Sequence, residues 1–106
     1  MPAAARVGDL ARNPSDSHGN DCCPHDVIGA AVQGSPNVFI EGRAALRVGD
    51  PGVHSRCCGP NTWLCAEGSP NVFINSIPAV RLHDVTSHCG GDGTMVTGSS
   101  HVFIND

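Results

Sequence analysis

Lysine and tyrosine are missing from this sequence, and bulky aromatic side chains are scarce: three Phe and one Trp among 106 residues. A chain of this length makes one small domain. One so poor in large apolar groups buries little surface, and such domains draw their stability from a metal, from disulfides or from a partner. No basic stripe is present either. The six cationic side chains are all Arg, scattered through a chain of net charge −4, which argues against nucleic-acid binding. The opening MPAAARVGDLARN has no apolar stretch of the kind a secretory signal needs. No apolar run approaches the length that crosses a bilayer. The expectation is a protein made in the cytoplasm without stable membrane anchoring. Thiols are reduced there, so the six Cys and six His read as metal ligands before disulfides.

What the sequence does have is repetition. GSPNVFI occurs at 34–40 and again at 68–74, and GSSHVFI follows at 98–104. Behind the first copy stands Arg47-Val-Gly-Asp50, and behind the second Arg81-Leu-His-Asp84. An unmatched Arg6-Val-Gly-Asp9 lies near the N-terminus. The start of the chain thus holds the second half of a unit whose first half closes the chain. Joined end to end, the single domain 1–106 contains three units: 98–106 continued by 1–33, then 34–67, then 68–97. This permuted arrangement suits a closed ring, in which the terminal strands pair and no sheet edge is left open.

Each unit reads as a β-hairpin. Val38, Phe39 and Ile40 turn through residues 41–43 into Ala45–Val48, and Val72, Phe73 and Ile74 turn through 75–78 into Ala79–Leu82. Residues 102–104 pair with 3–7. The Gly-Ser-Pro-Asn lead is a turn signal. No helical period persists, apart from a possible single turn near 25–31. The stretches 10–33, 51–67 and 85–97 read as irregular polar loops of the length that function or fixation explains. The expected fold is all-β: a small conical pseudo-three-fold closed array of hairpins with long, metal-tied loops.

Nearly all the Cys lie in those loops. His54 follows Asp50 by four residues, His88 follows Asp84 by four, and His18 follows Asp9 by nine. Three imidazoles meeting on an axis form a tripod for a tetrahedral ion, and a thiolate in the fourth place favours zinc. From the residues alone the fourth ligand is open among Cys22, Cys23, His25, Cys57, Cys58 and Cys89. Neither H-E-x-x-H nor paired C-x-x-C spacing is present, so the argument rests on repeat register. Cys65 and Trp63 read as strand or core residues, and His83 and His101 as surface turns.

Enzymatic readings have less behind them. Ser15-Asp16-Ser17-His18 has hydrolase letters, but there is no G-x-S-x-G elbow, and adjacent residues do not make a triad. Three His and one Cys fill a zinc coordination sphere and leave no open position. The expectation is a non-enzymatic protein. The alternative is a small zinc-dependent enzyme or toxin using the Cys/His cluster.

The opening Pro-Ala-Ala-Ala-Arg-Val-Gly-Asp at 2–9, the GSPNVFI text and Arg47-Val-Gly-Asp50 resemble the PAAR-repeat proteins over essentially the whole chain. The Pro-Ala-Ala-Arg element stands at 2–6 with an extra Ala, at 44–47 without the Pro, and at 78–81 with Val80 in its third place. The resemblance implies a β-rich cone on the tip of a contractile injection spike, as in type VI secretion. Its base would dock, one copy per trimer, on a VgrG-type spike protein, with effector or adaptor proteins as further partners. It would be delivered outside the cell at the spike tip. The resemblance also implies one structural Zn²⁺ near the apex, held by three His and one Cys. His18, His54 and His88 match the histidines. Some members carry Cys where this chain has His88, which leaves the fourth place to Cys89 first, with His25, Cys23 and Cys58 as alternatives. The docking surface implied is the hairpin end: Val38, Ile40, Val72, Ile74, Val102 and Ile104.

Overall fold

The computed structural model describes residues 2–16, 25–54, 62–88 and 91–104. Ten strands follow in order: β1 (Leu10–Asp16), β2 (His25–Ala30), β3 (Phe39–Ile40), β4 (Arg43–Ala44), β5 (Pro51–Val53), β6 (Thr62–Cys65), β7 (Phe73–Ile74), β8 (Ile77–Pro78), β9 (Val85–His88) and β10 (Gly91–Met95). The chain is all-β, with no helix among the described residues, and so none long and apolar enough to cross a membrane.

Each GSPNVFI repeat forms a short hairpin, β3–β4 and β7–β8, but the return strands begin inside the stretches read as turns, at Arg43 and Ile77, ahead of the expected 45–48 and 79–82. They turn at Glu41-Gly42 (φ 54° and 80°) and at Asn75-Ser76 (φ 55° and 65°). Positive φ at both central residues is the turn whose twist matches paired strands. The third copy is completed by the other end of the chain. Ala3 bridges Phe103, and the Ile104 amide donates to the Pro2 carbonyl at 2.9 Å. The serine of each copy builds its own turn. The hydroxyls of Ser35, Ser69 and Ser99 accept from the amides of Val38, Val72 and Val102 at 2.9, 3.0 and 2.9 Å.

Within the stretches expected to be irregular, the described residues form strands β1, β2, β5, β6, β9 and β10, and β2 stands where the sequence allows a single helical turn near 25–31. They join as one six-stranded sheet in the order β2-β1-β10-β9-β6-β5. Its two edges meet through the bridge between Ala31 and Gly52 and the bond from the Val32 amide to the Pro51 carbonyl, which makes a nearly closed barrel. The period of two is present but muted. In β6, Trp63 and Cys65 face in while Thr62 and Leu64 face out. In β9 the inward residues are Thr86 and His88. Polar or glycine residues at interior positions, and apolar ones at exterior positions, hide the alternation that marks a strand in the sequence.

Where the units meet, the three Ala-x-Arg segments bond in a cycle. The Ala5 amide donates to the Val80 carbonyl (3.0 Å), the Val80 amide to Leu46 (3.1 Å), and the Leu46 amide back to Ala5 (3.1 Å). All three side chains are buried in the main core with Trp63, Cys65, Met95, Ala11 and Ala31. Beneath them, Ala4, Ala45 and Ala79 pack with Ile40, Ile74 and Ile104 as a second cluster. Above them each Arg folds back on the Asp three residues on. Asp9, Asp50 and Asp84 each accept the backbone amide and two guanidinium bonds of Arg6, Arg47 and Arg81, at 2.7–3.1 Å. The carboxylate bonds push the Arg6 and Arg47 guanidinium pKa values further up against the opposing effect of burial. A fixed Arg–Asp fork of this kind pins a turn by two charge-assisted bonds in one plane.

Candidate functional site

At one end of the barrel the imidazoles of His54 and His88 come together. His54 follows β5 and His88 ends β9, and both are nearly inaccessible, at 5% and 6% exposure. Their ring centroids are 5.2 Å apart with the planes 21° from parallel. The indole of Trp63 also stacks on His88, 6.1 Å between centroids with the planes 26° apart, and its Nε1 donates to the Val53 carbonyl at 3.3 Å. The Thr86 hydroxyl sits 2.9 Å from His88 Nε2. Where the hydroxyl accepts from Nε2–H, Nδ1 carries the lone pair, and such a partner fixes the ring's tautomer and orientation.

Close packing at this end depends on the absence of side chains. A Cβ on Gly52 would lie 2.1 Å from the Trp63 ring. On Gly93 it would lie 2.3 Å from the Arg12 carbonyl oxygen and 2.8 Å from His88 Nε2. The indole thus occupies the space beside Gly52, while Gly93 lets the Arg12 backbone and the His88 ring approach.

Hydrogen-bond register decides which residues correspond. The amides of Ala31, Cys65 and Met95 donate to the carbonyls of Asp9, Asp50 and Asp84 at 2.9, 2.9 and 3.0 Å, so those aspartates are equivalent. The residues four further on are Asn13, His54 and His88, all buried. The counterpart of the two histidines in the wrapped unit is therefore Asn13, which sequence reasoning passed over in favour of a histidine. The signal was available in the constant spacing of four from each Asp. Of the other named ligands, His18, Cys89, Cys23 and Cys58, and the further candidates Cys22 and Cys57, lie outside the described residues. His25 opens β2, paired with Asp16. Among the described residues no third His, Cys, Asp or Glu joins His54 and His88. Cys65 is a core thiol: burial, with Asp50 and Asp84 nearby, pushes its pKa up to about 12, so it is not a thiolate at neutral pH.

The spacing of the two imidazoles can be tested against a shared ion. Zinc bound about 2.0–2.1 Å from each nitrogen at a tetrahedral angle holds two ring centres roughly 5 Å apart. The observed 5.2 Å matches that separation of centres, while the rings, stacked 21° from parallel, would have to tilt open for a nitrogen of each to point at one ion. The setting is buried, and no carboxylate among the described residues joins it. His54 and His88 would hold such an ion, which as a structural centre supplies cross-linking of loops and no reaction.

The other end is apolar. Ile40, Ile74 and Ile104, expected on a docking surface, are buried against the alanines; Val72 packs partly against the same cluster, while Val38 and Val102 are partly exposed. The residues between them face outward: Phe39, Phe73 and Phe103 are 59%, 55% and 48% exposed. Period two makes this legible afterwards. Once isoleucine is committed to a thin core, the preceding Phe must point away from it. The main core separates the two ends, since Ala5, Leu46 and Val80 adjoin the isoleucine cluster in the chain while Trp63 reaches His88. The molecule is elongated, 39 × 24 × 22 Å. His83 and His101 are exposed turn residues.

No family model matches the chain, and no curated protein matches it.

Proposed function

We propose that this chain is a non-enzymatic tip protein of the PAAR-repeat kind, seated one copy per trimer on a VgrG-type spike and carrying one structural zinc. The observation that carries the reading is the cycle of bonds through Ala5, Val80 and Leu46. It supports a conical pseudo-three-fold ring in which one chain offers three chemically matched faces, the form that caps a three-fold partner. Three exposed phenylalanines, one per repeat, support a docking base, because large exposed aromatics anchor interfaces by filling pockets. His54 and His88 would be two zinc ligands, with His18 and Cys89 completing the set and His25, Cys23 and Cys58 as substitutes. Loops joined by an ion resist local opening where the core is too thin to do so.

Two experiments test this. Replacing Phe39, Phe73 and Phe103 together by Ser is expected to abolish co-purification with the cognate spike trimer while lowering the melting midpoint far less than a core substitution does, since each residue is about half exposed in the fold. Retained binding at wild-type strength would sink the docking assignment. Elemental analysis of protein purified without chelator is expected to give about one zinc per chain, and His54→Ala or His88→Ala to remove most of it. Trp63 is the single Trp and adjoins His88, so its emission reports the same loss. Absence of zinc from the wild type, or unchanged zinc in both variants, would count against the site. A zinc enzyme would instead lose an activity on chelation while keeping an open ligand position.

A further inference from the structure

The two described junctions at the hairpin turns use different chemistry. At one, the side chain of Asn75 crosses to the preceding repeat: it accepts from Ser35 Oγ (2.6 Å) and Arg47 Nη1 (3.3 Å) and donates to Asn37 (2.8 Å). At the other, the equivalent residue is Glu41 and the equivalent of Asn37 is His101. Glu41 Oε1 accepts from Ser99 Oγ and from Arg6 Nη1 (2.6 Å), and Oε2 pairs with His101 Nδ1 (2.7 Å). The same architectural bond is made once by an amide that does not titrate and once by a carboxylate that does.

We propose that Glu41 is an acid-release latch for residues 98–104. When its carboxylate takes up a proton it loses the charge that holds Arg6, and one of its two oxygens becomes a donor. Its bonds to Ser99, His101 and Arg6 weaken, and the last hairpin strand loosens while the Asn75 junction holds. The groups that face Glu41 are His101 and Ser99 from the last segment and Arg6 from the first, with Asp9 behind Arg6. Bonds from Ser99 and then His101, with the charge of Arg6, hold the Glu41 carboxyl below the usual carboxylate range against a smaller opposing effect of desolvation. A carboxyl lowered in the fold adds its stabilisation above the unfolded value and loses it as pH falls through the folded one, so release occurs on the acid side.

The repeats supply their own control. The Val102 amide bonds to Ser99 and the Ala4 amide to the Val102 carbonyl; the Val38 and Ala45 amides occupy the same places at the neutral junction. Amide exchange on the full chain gives the ratio of protection, Val102 to Val38 and Ala4 to Ala45. Between about pH 6.5 and about pH 3 it is expected to fall two- to five-fold in the wild type, the scale of an exposed charged contact. In Glu41→Asn with His101→Asn, which rebuilds the neutral junction, and in Glu41→Gln, the ratio is expected to stay level. Whatever acid does at His54 and His88 is common to all three proteins. A level ratio in the wild type, or an equal fall in both variants, would overturn the latch.

Discussion

Trp63→Ala is expected to cost about 3–5 kcal/mol, the range for removing a large aromatic from a core that cannot collapse around the gap. The site has little freedom to collapse. Trp63 is 1% exposed and is the largest fully buried side chain among the described residues. Gly52 already lies against its ring, and a glycine has no side chain to move into the space. Domains of this size are stable by only about 5–15 kcal/mol, so a midpoint lowered by well over 10 °C is expected. Far-UV circular dichroism checks it, and Trp63→Phe should recover part of the loss. A cost below about 1 kcal/mol would mean that the indole is not the keystone of this core.

Gly29→Ala is expected to be as damaging by the opposite route. A Cβ there would lie 1.8 Å from the Val53 carbonyl oxygen and 2.5 Å from His54 Cα. Both are backbone atoms, so no side chain can swing aside, and β5 must move away from β2 at the place where the barrel has its least ladder pairing. Overpacking against flexible neighbours costs about 1–3 kcal/mol; here about 3 kcal/mol or more is expected. Gly42→Ala is the comparison. Its φ is 80° and nothing stands within 4 Å, so it pays only for the left-handed conformation, about 1–2 kcal/mol. Thermal melts of the two variants should separate clearly, with Gly29→Ala the lower. Equal melts would show that the β2–β5 contact yields.

How much of this was visible in the sequence differs by element. The hairpins were, because GSPNVFI repeats and because Ile40 and Ile74 sit at matched distances from Arg47 and Arg81. The wrap of the last copy onto residues 2–7 was visible for the same reason. The six-stranded sheet was not. Its interior is filled by Trp63 in one unit and left to Gly93 in another, and Asn13 stands in place of a histidine, so no single strand shows a clean alternation. Backbone pairing between units, which no window of local sequence contains, makes these segments strands. At the hairpin end, the docking set implied by the resemblance named Val38, Val72 and Val102 with Ile40, Ile74 and Ile104, whereas the two-residue period turns the isoleucines inward and Phe39, Phe73 and Phe103 outward.

The cycle through Ala5, Val80 and Leu46 also bears on how the chain folds. Each of its bonds joins segments far apart in sequence, and the bridges beside it tie Ala4 to Arg81, Arg6 to Ala45 and Arg47 to Ala79. Any two units alone leave one donor and one acceptor of the cycle unmatched. The entropy of closing two long loops must therefore be met before the third bond repays it. Such a ring has no stable half-built form: it is expected to assemble late and in one step, at the slow pace of non-local β topologies, and to open in the same all-or-none way.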